Sequence, residues 1–350
     1  MPRFPMTLSP TNQPETEDEF VDLDFGACET CGSVQLMNLV DPEVLYAEAH
    51  NTTSHSATWR DHHSELARFI LAAQTVSRSC LEVGGASGDL ASLVAEHFTR
   101  YTILDLAPAV SNPRFTVIQG NCETYAFEAG SVLVLAHVFE HLYNPTRFVA
   151  NCARHAVADV FISIPNMSDC ATVPIHVEHT FFIDSSDIVR IFASAGYSLQ
   201  ASLAFREHSH FYHMRLASNG NDATAELQSN TAVSASSALA RKVATVLMLK
   251  ARQAYFLGLQ IPDDAFVAPG GPYGQVLYYY SRCRIRCFLD NDIHKVGKRV
   301  YGTPHFVRPF TALLGSGAVA VYLYAGPYAM ELRQQIEGIN CNAQVILLED

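Results

Sequence analysis

Between residues 66 and about 205, short apolar runs alternate with stretches whose apolar residues recur at helical spacing. The run at Leu81–Val83 and those in "YTILDLA", "FTVIQGN", "SVLVLAHVF" and "DVFISIP" predict five strands. Their alternation with helical patterns predicts an α/β domain with a parallel sheet flanked by helices. Polar sequence, "ASNGNDATAELQSNTAVSASS", then breaks the pattern as a linker, and "ALARKVATVLMLKARQAYFLGLQ" resumes it as a helix. A second start follows in "AFVAPGGPYGQVLYYY", which reads strand, Gly-rich turn, helix, with further strands in "IRCFLDNDIHKVGKRVYGTPHFV" and "AVAVYLYA". Four segments result: 1–65, containing cysteines; 66–217, the first α/β domain; 218–259, linker and helix; and 260–350, the second α/β unit.

The apolar run at 81–83 breaks into "GGASG" just after Glu82. A tight turn between strand and helix is a nucleotide site in outline, because glycine admits close approach to the backbone and the helix start offers unpaired N–H groups. A dinucleotide calls for G-x-G-x-x-G, whereas S-adenosylmethionine calls for an acid, one residue, Gly, three residues, Gly. Glu82, Gly84 and Gly88, with Gly85 between, fit the second pattern. Asp105 ends the next strand, 17 residues past Gly88, where a carboxylate can accept from both ribose hydroxyls. A plain helix cap and a solvated strand-end acid are the simpler alternatives for these two features. The second Gly turn, around Gly270, Gly271, Tyr273 and Gly274, follows no such acid, so a second S-adenosylmethionine is not expected there.

A chain of 350 residues that is 49% hydrophobic can bury substantial cores. Its 23 basic and 35 acidic residues give a net charge of −12, which argues against nucleic acid and acidic lipid as partners. No apolar stretch reaches membrane-spanning length, and the N-terminal residues carry no signal-like core, so a cytoplasmic protein is expected. Nine scattered cysteines point to reduced thiols. Cys28 and Cys31 form half a zinc knuckle, which His50, His55, His62 or His63 could complete; free thiols and no bound metal are the expectation.

Taken together, "CETCGSVQLMNLVDPEVLY", "LEVGGASGDL", "HVFEHLYNP", "PIHVEHTFF" and "FLDNDIHKVGKRVYGTPHFV" occur in the order found in a known family. The chain resembles the sugar C-methyltransferases that act on nucleotide-linked ketosugars. That resemblance implies a class I (Rossmann-like) methyltransferase domain between a small N-terminal domain and a second Rossmann-like domain. It implies that Glu82, Gly84, Gly85 and Gly88 hold the methionine end of S-adenosylmethionine, Asp105 and Leu106 the ribose, and Asn121, Cys122 and Glu123 the adenine. His137 would stand where the fourth strand opens onto the methyl group. The family's Tyr-His-Glu-His motif reads His176, Val177, Glu178, His179 here, with Glu178 and His179 as the implied catalytic pair and His176, in the tyrosine's place, as a catalytic candidate that could share the base's work. His208, His210 and His213 fall at positions that face substrate in the family. Tyr273, Lys295 and Arg299 would serve the substrate's nucleotide in the C-terminal unit. The family's first cysteine pair is missing, as are its tyrosine and its glycine-rich segment after the motif.

Methyl transfer from a sulfonium is an in-line displacement that also needs a proton removed from the acceptor. Histidine suits that task near neutral pH, and a neighbouring glutamate can orient it. Glu178 and His179 would point to opposite faces of a regular strand, so they serve one site only in an irregular loop. A metal site or ordinary loop histidines are the other readings of "HVEH", and Glu140 and His141 read as a helix end before Asn144–Pro145. The expected activity is C-methylation of a nucleotide-linked sugar next to a carbonyl. O-methylation of a related sugar or glycan precursor, a non-catalytic sugar-nucleotide binder and a nicotinamide oxidoreductase are the rivals.

Overall fold

The structure is a computed structural model, and it describes residues 3–46, 57–75, 77–85, 87–108, 112, 114–166, 176–217 and 235–348. The chain divides into two compact units, Gly26–Ser168 with Glu178–Lys242, and Met1–Phe25 with Asp169–Val177 and Val243–Asp350. The first 65 residues, read from the sequence as one domain, are thus shared between both.

The larger unit is built on seven strands: β1 Ser79–Val83, β2 Arg100–Asp105, β3 Thr116–Gln119, β4 Val132–Ala136, β5 Asp159–Pro165, β6 Tyr197–Phe205 and β7 Ser209–Leu216. Their order across the sheet is β6-β7-β5-β4-β1-β2-β3. The five strands from β5 to β3 are parallel, and β7 and β6 add an antiparallel edge. Parallel strands are covered on both faces by their crossover helices, so they read as continuous apolar runs. Accordingly β4 is buried from Val132 to Leu135, and all of β5 is buried. Edge strand β6 is exposed from Gln200 to Ala204, which is why its sequence gives little sign of a strand.

Helix α1, Ala57–Ala72, turns Thr58, His62, Leu66, Ala67 and Ile70 inward, a stripe at helical spacing. The domain therefore starts before residue 66. Helix α2, Asp89–Val94, follows the Gly turn. Helix α3, Pro145–Arg154, begins where the sequence suggested an ending: Asn144 Oδ1 accepts from the Arg147 N–H and Pro145 occupies the first turn. An Asn before a Pro caps a helix N-terminus as readily as it stops the preceding one, because Pro at the first position lacks only an N–H the helix would not use. Helix α4, Ser185–Ala193, is capped by Asp184 in the same way. The order reverses between β1 and β4, the switch point at which open α/β sheets bind ligands beyond their strand ends. This is the class I methyltransferase fold. Helix α5, Ala235–Gly258, leads along the chain into the second unit. No described helix is long and apolar enough to cross a membrane.

The second unit holds β8 Phe266–Ala268, β9 Cys287–Asp290, β10 Val307–Pro309, β11 Val319–Leu323 and β12 Ala343–Leu347, all parallel, in the order β10-β9-β8-β11-β12. Helix α6, Pro272–Ser281, follows the second Gly turn, and α7, Ala329–Ile339, precedes β12. N-terminal residues complete it: Pro10–Thr11 pairs with Arg299–Val300, and the buried Arg299 guanidinium meets both carboxylate oxygens of Asp18 at 2.6 Å.

Candidate active site

Glu82 leaves β1 fully buried, with the Tyr101 hydroxyl donating to Oε2 at 2.8 Å. Burial pushes its carboxyl up to about 7, although the Tyr101 hydrogen bond pulls the other way. Gly84 follows at φ +67° and Gly88 caps α2 at φ +77°, backbone positions that side chains rarely adopt. A Cβ on Gly84 would stand 2.6 Å from Val138 Cγ2, and one on Gly85 would stand 2.7 Å from Ile103 Cγ2. Both glycines are therefore required by the packing of Val138 and Ile103 against the turn.

Around it lie the other residues expected for the cofactor. Asp105 ends β2 with one oxygen accepting from the Ala107 N–H at 2.9 Å, and Leu106 stands beside it, partly exposed. Asn121 accepts from the Glu123 N–H, and Glu123 in turn accepts from the Asn144 N–H that opens α3. Cys122 is buried, and desolvation lifts its thiol to about 12, so the thiol is a neutral group. His137 follows β4 at φ +55°, its N–H bound to the Ser163 carbonyl across the strand gap. The strand ends thus bring Glu82, Asp105 and His137 to one edge of the sheet.

The histidines separate into three places. His137 and His208 join His62 and Trp59, with ring centroids between 4.8 and 5.5 Å apart. Burial pushes His137 and His208 down to about 3, and it pushes His62 down further. His62 thus belongs with these rings rather than with the cysteines, and His50 and His55 lie outside the described residues. His210 instead lines a cavity of about 290 Å³ with Asn166, Asp184 and Ser185. His213 stacks on Phe161 and meets Asp159 at 2.7 Å, at the start of β5. That is the end of the parallel strands away from the Gly turn, so His213 supports the sheet rather than facing substrate.

Glu178 and His179 lie in irregular backbone. They meet through a residue that had been read as a helix end. His141 Nδ1 is 3.6 Å from Glu178 Oε2 and 3.1 Å from the Tyr46 hydroxyl, and its ring packs edge-on against His179 at 5.0 Å. Glu140 stands behind, wholly buried, with both carboxylate oxygens lacking a hydrogen-bond partner. Its carboxyl is raised to about 7 by burial, against the pull of His179. Glu140 and His141 are therefore parts of the site, held by a short turn, Phe139–His141, whose Glu140 carbonyl takes the Thr180 N–H. Their signal was in "FEHL": two ionisable residues directly after a strand at the switch point. Tyr46 had no signal.

Cys28 and Cys31 sit on a tight turn, and the backbone N–H of Cys31 draws the Cys28 thiol below its ordinary value. Groups of three or more possible metal ligands among the described residues are His62 with His137 and His208, and Glu140 with His141 and His179. The two cysteines are in neither.

His176, Tyr273, Lys295 and Arg299 belong to the other unit. Lys295 Nζ lies 3.1 Å from Asp290 Oδ2 and 3.3 Å from the place a Cβ on Gly271 would take, beside the start of α6. Tyr273 packs against Tyr324 and Tyr328. Arg299 is not available for phosphate: besides Asp18, its guanidinium donates to the carbonyls of Gln13 and Thr303, and its side chain is 6% exposed. A cation fully paired in the interior has no donor to spare for a ligand.

Residues 58–213 match the family described as methyltransferase domain. No curated protein matches the chain. Among solved structures, magnesium protoporphyrin IX methyltransferase from Synechocystis PCC 6803, with bound SAH, is 10% identical, with TM-score 0.38 over 46% of this chain and 84% of that one. The N-methyltransferase NodS from Bradyrhizobium japonicum WM9, in complex with SAH, is 16% identical, with TM-score 0.37 over 47% and 89%. The strand order, the glycine turn after β1 and the family match over the same residues identify residues 58–213 as a methyltransferase domain.

Proposed function

We propose that the protein is an S-adenosylmethionine-dependent methyltransferase acting on a carbon next to a carbonyl in a nucleotide-linked sugar. The turn at Gly84–Gly88 carries the cofactor part of this reading, since its two positive φ angles turn the chain sharply between the end of β1 and the start of α2, beside the buried Glu82. Glu82, Gly84, Gly85 and Gly88 would hold the amino-acid end, Asp105 and Leu106 the ribose, and Asn121, Cys122 and Glu123 the adenine. A buried carboxyl raised to about 7 fits this role, because an incoming ammonium group stabilises its ionised form. The cofactor supplies an electrophilic methyl group on a sulfonium.

The cluster of Tyr46, Glu140, His141, Glu178 and His179 carries the acceptor chemistry. His179 takes the proton from the acceptor carbon and Glu178 orients it or relays the proton onward, with His141 between Glu178, the Tyr46 hydroxyl and the His179 ring. Glu140 adds a carboxylate without hydrogen-bond partners behind the pair, ready to ionise once positive charge appears beside it. His176 keeps the place of the family's tyrosine, His210 in its cavity with Asn166 and Ser185 is a candidate to face an acceptor, and Tyr273 and Lys295 are candidates to hold a nucleotide within the second unit.

The test is exchange of the acceptor's alpha proton with deuterated water in the presence of S-adenosylhomocysteine, over a panel of nucleotide-linked ketosugars. Exchange in the wild type that drops about 10²–10⁴-fold in His179→Asn, with S-adenosylhomocysteine affinity retained, is the expected result. Unchanged exchange in His179→Asn would assign the base elsewhere. Labelled methyl found only on oxygen would remove the C-methylation reading.

A further inference from the structure

His62, His137 and His208 reach one point from three elements: the inner face of α1, the end of β4 and the turn between β6 and β7. Each offers one ring nitrogen, and the three nitrogens lie within 4.8 Å of one another. His62 is fully buried, and His208 is 7% exposed. An interior that needed only to be filled would place apolar side chains here, as α1 does at Leu66 and Ile70 on the same stripe. Three neutral imidazoles desolvated together cost stability instead.

Two further observations point to a ligand. His62 Nδ1 is buried with no hydrogen-bond partner, while Nε2 of the same ring lies 2.9 Å from Ser163 Oγ. His137 Nδ1 lies 3.5 Å from Glu140 Oε1, a carboxylate with no hydrogen-bond partner of its own, and His137 Nε2 lies 2.8 Å from Ser209 Oγ. Imidazoles whose second nitrogen is held by a polar partner are the usual setting of metal-bound histidine; Ser163 does this for His62 and Glu140 for His137, whose Nε2 exchanges Ser209 Oγ for the ion. Trp59 closes the cluster, with its ring 4.8 Å from His137, 5.0 Å from His62 and 4.9 Å from His208.

We propose that His62, His137 and His208 form a binding site for a divalent transition metal ion of the zinc and cobalt class. Imidazole nitrogen selects such ions over magnesium and calcium, which take oxygen ligands. Nitrogens bound to one such ion stand roughly 2.0–2.1 Å from it, so the three close inward by small side-chain rotations when the ion enters. The Glu140 carboxylate beside His137 offsets the ion's charge. Three protein ligands leave a fourth position open for water or another oxygen ligand. The site rests on these side chains alone and stands whether or not the methyl-transfer reading does.

The experiment uses the full chain, stripped with chelator and titrated with Co²⁺. One equivalent is expected, with visible absorption of a low-coordinate nitrogen site, and X-ray absorption of the bound ion should show imidazole scatterers and no sulfur. His208→Gln and His62→Asn should each lower Co²⁺ affinity by more than tenfold, while Cys28→Ser with Cys31→Ser and His141→Gln leave it unchanged. If either histidine variant fails to fold, the ligand shell in the wild type decides. No Co²⁺ uptake, sulfur in the ligand shell, binding lost in the cysteine or His141 variant, or binding retained in both histidine variants would overturn the assignment.

Discussion

Glu82 offers a direct measure of how the cofactor turn is built. Its carboxyl titrates at about 7 in the folded protein against an ordinary 4.5, because the strand carries it into the interior. The folded state therefore holds that proton more tightly than the unfolded chain, and stability falls as pH rises between the two values. The full contribution is present below pH 4.5 and is lost by about pH 7, a difference of about 3 kcal/mol at ~1.4 kcal/mol per pKa unit. Glu82→Gln keeps the shape of the side chain and removes the titration. Urea unfolding of both proteins from pH 4.5 to 8.5 gives a difference curve in which other titrating groups cancel. That curve should fall by about 3 kcal/mol up to pH 7 and then level off. In parallel, S-adenosylhomocysteine affinity should rise towards pH 7 in the wild type and stay level in Glu82→Gln. A flat difference curve would show that Glu82 ionises freely, and the account of a carboxyl held neutral until its ligand arrives would be wrong.

The turn was legible in the sequence because all its determinants are local. Glu82, Gly84 and Gly88 lie within seven residues, and the positive φ angles of the two glycines are met by the residue type alone. Strands β4 and β5 were legible for a related reason, since strands covered on both faces are buried almost throughout, and β1 and β2 keep a short apolar run between polar ends. The β6–β7 edge was not. "REHSHFYHM" is polar, and its buried members are satisfied by partners far along the chain, Ser209 by His137 and His213 by Asp159. The acceptor cluster shows the same limit: Tyr46, Glu140, His141, Glu178 and His179 come from three separated segments. Motif spacing exposes pairs within a segment, so it named Glu178 and His179 and missed the histidine that joins them. Arg299 erred for this cause too. Its proximity in sequence to Lys295 suggested a shared phosphate, whereas its partner, Asp18, lies 281 residues away.

Gly84→Val should abolish measurable S-adenosylhomocysteine binding and lower stability by about 2–5 kcal/mol, from ~1–2 for the left-handed backbone and ~1–3 for overpacking against Val138; calorimetry and urea unfolding check both. Lys295→Ala should weaken binding of a nucleotide-linked sugar, by titration, while S-adenosylhomocysteine affinity stays at the wild-type value. The remaining prediction separates structure from function in the second unit. Asp18 and Arg299 are 1% and 6% exposed as side chains and form a two-point ion pair, and Asp18 Oδ2 also accepts the Gly302 N–H at 2.8 Å. Removing one partner leaves the other charge buried and alone, which costs about 3–5 kcal/mol, so Asp18→Ala should destabilise the protein by that amount. Replacing both residues by apolar ones of similar size, Asp18→Leu with Arg299→Met, removes both charges and should recover a good part of the loss. Unfolding curves of the single and double variants form the cycle. A phosphate-binding role predicts the opposite ranking, with Asp18→Ala nearly neutral and every Arg299 variant losing nucleotide affinity. The five hydrogen bonds that Arg299 makes to Asp18, Gln13 and Thr303 favour the structural outcome, because they would have to break before the guanidinium could turn to a ligand.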